Sequence, residues 1–290
     1  MTNWKSFPLT LGHSPDPDDA FMFYAMAEGK IDLRGYRFEH ILQDIQTLNE
    51  RALRGELHIS AVSIHACAFI TNQYALLSSG ASMGDGYGPM FVTSEDANLP
   101  NLSDWEMCRK WLSSKRIAIP GRMTTAYLVA RIFLGDFDYL ITPFDAIFSA
   151  VSSGEADVGL IIHEGQLTYQ KEGFTKVLDL GEWWKARTQL PLPLGGNVIR
   201  KDISPSARKD ISEILKESIQ YGLKYRKPAV AHSMAHARGM DAFLADKFIG
   251  MYVNAYTLDY GKVGRQAVQR LLSEAHENGL IPSATCVSFQ

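Results

Sequence analysis

His163 and Glu164 follow directly on the run Val158-Gly159-Leu160-Ile161-Ile162. Short apolar runs bounded by glycine and polar residues predict buried strands. Ligands of open α/β sheets sit at the carboxyl ends of such strands. A histidine there faces a cleft, and imidazole is the side chain most easily set to move a proton near neutral pH. His163 is therefore the first candidate for chemistry, against the alternative of a satisfied core histidine or surface cap. Neighbouring strand residues point to opposite faces, which predicts a structural or capping role for Glu164.

Three other strand-to-helix junctions carry polar groups: Gly12-His13-Ser14-Pro15-Asp16, Ser60 to Ser63, and Gly121 to Thr125. The second and third place Ser63, Thr124 and Thr125 where backbone N–H groups at helix starts bind anions, carboxylates included; Ser14 at the first is a candidate substrate contact. Ordinary N-capping is the competing reading for Thr124 and Thr125. Asp16 reads as an N-cap, with Pro17 at the first helical position and Asp18 and Asp19 in the first turn. A metal site would need His13, His65 and His163 to converge with carboxylates, and nothing in their spacing favours that; no metal is expected. The chain has no GxGxxG after a strand, no P-loop, no GxSxG and no HExxH. The Gly80 to Gly88 stretch lacks the following helix that a phosphate cradle needs. Trp183-Trp184 reads as a packing pair.

The elements that position these residues alternate throughout. Strands are expected at Phe7–Gly12, Phe38–Leu42, Ile59–Val62, Leu76–Leu77, Met90–Thr93, Lys115–Ile119 and Phe174–Asp179, and after Gly154 in the run ending at His163. Helices are expected from Pro17 to near Gly29, Ile45–Arg54, Ser63–Ile70, from Thr124, over Ile147–Ser153, and in the amphipathic stretches Ile211–Tyr225, Met240–Tyr252 and Val263–Asn278. The polar stretch from Ser94 to Asp104 and the Pro-fixed segment Leu190 to Gly196 read as crossings between two lobes. They predict a discontinuous first lobe, residues 1–95 plus 195–290, and a second lobe, 96–194, carrying Thr124, Thr125 and His163. This is the two-lobed α/β arrangement of the periplasmic-binding-protein type II fold, with a ligand cleft between the lobes; a single doubly wound domain is the alternative.

The 290 residues are 46% hydrophobic and 21% charged, an ordinary globular composition. The net charge of −3 gives no overall basic footprint and speaks against a nucleic-acid partner. Three scattered cysteines exclude a full disulfide framework and a CxxC metal pair. No basic segment followed by an apolar run opens the sequence, and no apolar run is long enough to span a bilayer. The expectation is a cytoplasmic protein without membrane insertion.

Six motifs then occur in order: Ser14-Pro15-x-Pro17-x-Asp19-x-Phe21-x-Phe23-Tyr24-Ala25; Pro120-Gly121-Arg122-x-Thr124-Thr125-Ala126-Tyr127; Gly159-Leu160-Ile161-Ile162-His163-Glu164; Asp179-Leu180-Gly181-x-Trp183-Trp184; Leu190-Pro191-Leu192-Pro193-Leu194-Gly195; and Tyr252-Val253-Asn254-Ala255. Together they resemble the 1,4-dihydroxy-6-naphthoate synthases of the futalosine route to menaquinone. The resemblance implies a lyase that converts cyclic dehypoxanthinylfutalosine to 1,4-dihydroxy-6-naphthoate with loss of a three-carbon sugar fragment. It implies no cofactor, a small-molecule carboxylate substrate, His163 as catalytic base, and substrate contacts at Thr124, Thr125, Ala61, Val62 and Ser63. The chain departs from the family pattern at Asp16 and Asp18, where Cys and Asn are usual. It departs again at Ala61, where Lys is usual, and at Ile64-His65, where Tyr-Ala is usual. Two other readings share this fold: a non-catalytic small-carboxylate solute-binding protein, and a chorismate dehydratase.

Overall fold

Short β-branched and apolar runs alternate with capped helices in the computed structural model, which describes residues 2–97, 99 and 104–290. The strands are β1 (Leu9–His13), β2 (Phe38–Leu42), β3 (Ile59–Ser63), β4 (Tyr74–Leu76), β5 (Ser82–Gly84), β6 (Met90–Ser94), β7 (Ile117–Ile119), β8 (Tyr139–Ile141), β9 (Val158–Ile161), β10 (Phe174–Asp179) and β11 (Leu192–Arg200). They form two mixed sheets. The first has the order β2-β1-β3-β11-β4, with β5 also paired to β11; the second has the order β10-β6-β9-β7-β8. In the first, β1 runs parallel to β2 and β3, and β11 runs antiparallel to β3. In the second, β7 runs parallel to β8 and β9, and β6 runs antiparallel to β9 and β10.

Each sheet is covered by helices. Helix Pro17–Ala27 is apolar nearly all round, as a helix buried on most sides must be. Its Phe21 and Met22 pack with Leu9 and Leu11 of β1 and with Ile211 and Ile214 of helix Pro205–Lys224. A larger core joins Ile117 and Leu160 of the second sheet to Trp184, and continues to Val62 and Val198 of the first. Trp183 and Trp184 are both buried there, a packing pair.

The chain passes between the sheets twice, between Gly84 and Met90 and between Asp179 and Leu192. The two passages touch. A Cβ on Gly84 would lie 1.9 Å from the Tyr87 carbonyl oxygen, and one on Gly181 would lie 2.0 Å from it. The glycines thus permit a backbone approach that any side chain would block. The first strand of the second sheet begins at Met90, ahead of the polar stretch at 94–104 where the sequence reading put the crossing; residues 98 and 100–103 of that stretch lie outside the described residues. The sequence reading also lacked β5, β8 and the helix Trp105–Leu112, whose N-cap Asp104 accepts from the Met107 N–H.

Candidate active site

A cleft enclosing about 790 Å³ of space, solvent at its mouth included, lies between the two sheets. The first sheet supplies Ser14 after β1, Ala61 to Ser63 at the end of β3, and Leu194 to Asn197 of β11. The second side supplies Thr124 to Ala126 after β7, and Ile162 and Gln166 after β9. Phe248 and Tyr252 of helix Ala242–Tyr252 complete it. Six of the expected binding residues, Ser14, Ala61, Val62, Ser63, Thr124 and Thr125, therefore line one cavity.

Their hydroxyls are already engaged. Thr124 is the N-cap of helix Thr125–Leu134: its Oγ1 accepts from the Tyr127 N–H at 3.2 Å and donates to the Gly121 carbonyl at 2.8 Å. Thr125 donates to the Leu194 carbonyl at 2.6 Å, and its Oγ1 accepts from the His65 N–H at 3.2 Å. Buried Asn49 holds Ser63, accepting from its N–H at 2.8 Å and donating to its Oγ at 3.0 Å. These bonds place the two helix starts side by side, with the unpaired N–H groups of a first turn available to an anion.

The opposite wall is acidic. Asp16, Asp18 and Asp19 line the cavity, and no Lys, Arg or His is among its lining residues. Ser14 donates its N–H and its hydroxyl to Asp19 Oδ2 at 2.7 and 2.9 Å. Burial still pushes the Asp19 carboxyl up to about 6, with Asp16 adding to the shift and the Ser14 bonds opposing it. Burial, then the charges of Asp19 and Asp16, raise Asp18 well above the usual carboxylate range. Asp16 occupies the expected N-cap position but makes no side-chain cap bond. Its Oδ1 instead lies 2.7 Å from Arg238 Nη1. The contact is an ion pair that holds Asp16 against the guanidinium. Asn197 Oδ1 is a buried acceptor without a partner on this cavity. Such an acceptor suits a ligand that brings its own hydroxyl donor.

His163 does not line the cavity; Ile162 before it and Gln166 after it do. Its ring is 8% exposed and lies edge-on to Phe144 and Phe148, with centroids 5.6 and 5.9 Å away. Nδ1 accepts the Gly165 N–H at 3.0 Å, and Nε2 is buried without a partner. The neutral ring so held carries its proton on Nε2. Strand β9 ends at Ile161, so the alternation that turned Glu164 away from His163 does not reach them. Glu164 Oε2 is 3.7 Å from His163 Nδ1, and Arg238 Nη1 donates to both Glu164 oxygens at 3.0 Å. Glu164 stands at the N-cap position of the helix Gly165–Thr168 without a side-chain cap bond; its carboxylate pairs with Arg238 and approaches the ring.

Arg238 had no sequence signal. It lies 223 positions from Pro15, whose carbonyl accepts from its Nη2 at 3.1 Å. The Tyr252 hydroxyl, which donates to Gln166 Oε1 at 2.5 Å, was equally invisible. His13 and His65 stay apart from His163: His13 Nε2 is 3.1 Å from His40 Nδ1, and both ring nitrogens of His65 are buried. Among the described residues, no group of three or more His, Cys, Asp or Glu side chains is placed to hold a metal ion. No helix among them is long and apolar enough to cross a membrane.

Two mixed sheets joined by two chain passages, with a cavity between them, define the periplasmic-binding-protein-like class. The alkanesulfonate-binding protein of Xanthomonas axonopodis pv. citri, bound to MOPS, superposes with a TM-score of 0.70 at 12% identity, over 97% of this chain and 96% of that one. A crystal structure of an Archaeoglobus fulgidus protein is nearer, with a TM-score of 0.88 and 41% identity over 95% of this chain and 99% of that one. Residues 9–277 match the family described as menaquinone biosynthesis, and the chain belongs to that family. It is 36% identical to the 1,4-dihydroxy-6-naphthoate synthase of Thermus thermophilus, over 94% of this chain and 95% of the relative. It is 33% identical to the enzyme of that name from Streptomyces coelicolor, over 95% of each.

Proposed function

We propose that this protein is a cytoplasmic carbon–carbon lyase that converts cyclic dehypoxanthinylfutalosine to 1,4-dihydroxy-6-naphthoate, releasing a three-carbon sugar fragment. The observation that carries the reading is the cavity between the sheets, built from the residues the naphthoate synthase resemblance assigns to substrate. The substrate carboxylate sits at the paired helix starts of Ser63, Thr124 and Thr125. A sugar-derived hydroxyl meets the unpartnered Oδ1 of Asn197. On this reading residues 1–95 with 195–290 form one lobe and 96–194 the other. The pairing of β6 with β9 and β10 supports drawing the first boundary back to 85–89.

His163 is the general base. To take a proton at Nε2 the ring must carry its own proton on Nδ1, and Glu164 Oε2, 3.7 Å away, is the acceptor for it. Activation is then a change of tautomer: Nδ1 releases the Gly165 N–H and takes a proton from water toward Glu164, while the Nε2 proton passes to water, as the loop after β9 settles on bound substrate. Proton removal leads to ring cleavage and to an aromatic product, whose formation drives the step. General-base catalysis contributes about 10²–10⁴-fold, and alignment between the sheets with polar stabilisation of the developing enolate supplies the rest.

The test is product analysis with purified cyclic substrate. His163→Ala is expected to lose about 10²-fold or more in kcat while still binding product. Full turnover by the variant would end the base assignment. Absence of product from the wild-type protein, with tight binding retained, would favour the solute-binding reading, and turnover of chorismate instead would favour the dehydratase.

A further inference from the structure

Arg238 reaches three groups from segments far apart in the chain. Nη1 donates to both oxygens of Glu164 and lies 2.7 Å from Asp16 Oδ1, while Nη2 donates to the Pro15 carbonyl. Pro15 and Asp16 follow β1 of the first sheet; Glu164 follows β9 of the second. The guanidinium also lies over the Phe144 ring at 4.7 Å, and Phe144 meets the edge of His163. The backbone of Arg238 has φ +42°, a left-handed conformation that a non-glycine residue holds only where its surroundings fix it.

We infer that Arg238 is a positioning residue for His163: it holds Glu164 across the cleft and neutralises that carboxylate, so that the imidazole stays uncharged and able to accept a proton. The inference rests on the base reading above. Glu164 is 7% exposed. A carboxylate buried to that degree and stripped of its cation is costly unless it gains a proton or a new partner. The nearest group that can supply a positive charge is His163. Without Arg238, Glu164 therefore draws a proton onto the ring, and an imidazolium is no base.

The groups around the ring are few. Phe144 and Phe148 are neutral and Asp145 beside Phe144 is exposed. Behind Arg238 stand Asp16 and His236; burial, then His232 and Arg238, lower the His236 ring below its ordinary value, with Asp16 opposing. Glu164 is the one carboxylate in contact with the ring among the described residues.

The experiment is the pH profile of kcat/KM for the cyclic substrate in wild type, Arg238→Gln, Arg238→Lys and the double variant Arg238→Gln/Glu164→Gln. Arg238→Gln is expected to move the acid limb up by about one pH unit, which is about a tenfold loss on that limb, with recovery at alkaline pH. Arg238→Lys keeps the wild-type acid limb, and the double variant returns the limb toward its wild-type position at a lower kcat, because Glu164 also accepts the Nδ1 proton. A uniform fall at every pH, or a double variant whose acid limb stays where Arg238→Gln puts it, overturns the assignment. Glu164→Gln alone is the second arm if Arg238→Gln does not fold: it removes the carboxylate beside the ring while leaving the cation in place and is expected to move the acid limb down, and a rise or no movement counts against the proposal. Turnover retained in His163→Ala removes the base reading and this one together. Turnover lost there, with the Arg238→Gln profile unmoved, removes only the role of Arg238.

Discussion

Thr125, at the start of a helix on the second sheet, donates its hydroxyl to the carbonyl of Leu194 on β11 of the first, at 2.6 Å. The same oxygen accepts the His65 N–H at 3.2 Å, so one hydroxyl ties three segments at the cavity wall. Thr125→Val keeps the shape and removes both bonds. Each buried group left unpaired costs about 1–3 kcal/mol, so the variant is expected to unfold at lower urea and to show a raised KM for the substrate carboxylate. Wild-type stability and KM in this variant would show that the tie does not organise the site.

Much of this wall was legible in the sequence, because strand-end hydroxyls before apolar helices have a local signature. Ser63, Thr124 and Thr125 all lie at such junctions. The acid wall was legible only as caps: Asp16 has the N-cap position, but its partner is Arg238, and no local pattern links positions so far apart. A structural or capping role for Glu164 was legible, and it does stand at a helix N-cap paired with Arg238; its approach to His163 was not, because strand alternation stops at Ile161. The helix Trp105–Leu112 was hidden because its capping residue Asp104 closes a run of polar residues that reads as linker. Long-range pairs such as Tyr252 with Gln166 leave no periodicity to detect.

His65 makes a prediction about pH. Burial lowers it from the usual 6.5 to about 4, against the opposing pull of the Thr124, Arg122 and Leu280 backbone. The unfolded chain binds a proton below pH 6.5 that the folded protein refuses until about pH 4. Its contribution to stability is therefore complete above pH 6.5 and lost as pH falls toward 4. His65→Phe removes that loss. Relative to the variant, the wild type is expected to lose about 2–3 kcal/mol between pH 7 and 4, read as the difference between urea unfolding free energies at each pH. Parallel curves would mean the ring is charged in the native state or solvated.

Asp19 makes the corresponding prediction for ligand binding. Its carboxyl is pushed up to about 6, chiefly by burial, beside a cavity that has no basic side chain. A bound carboxylate is repelled while Asp19 is ionised. Affinity for 1,4-dihydroxy-6-naphthoate should rise as pH falls through about 6. Asp19→Asn, which keeps an acceptor for Ser14, should bind it about 3- to 10-fold tighter at pH 7.5 and with a flatter pH dependence. Calorimetric titration at pH 5.5 and 7.5 decides the matter; equal affinities in the wild type would place the ligand's charge away from Asp19.

Gly165 sets the ring of His163 in place. A Cβ there would lie 2.7 Å from His163 Cε1 and 2.8 Å from Phe148 Cε2, closer than real side chains tolerate. Gly165→Ala must therefore push the imidazole off the Gly165 N–H or shift the Phe148 ring, at about 1–3 kcal/mol of stability. If the orientation of this ring governs proton transfer, kcat falls at least about tenfold while product affinity is kept, because misplacing a base harms the reaction more than ground-state binding. A variant that loses only stability, with kcat unchanged, would show that His163 works from another orientation than the one Gly165 holds.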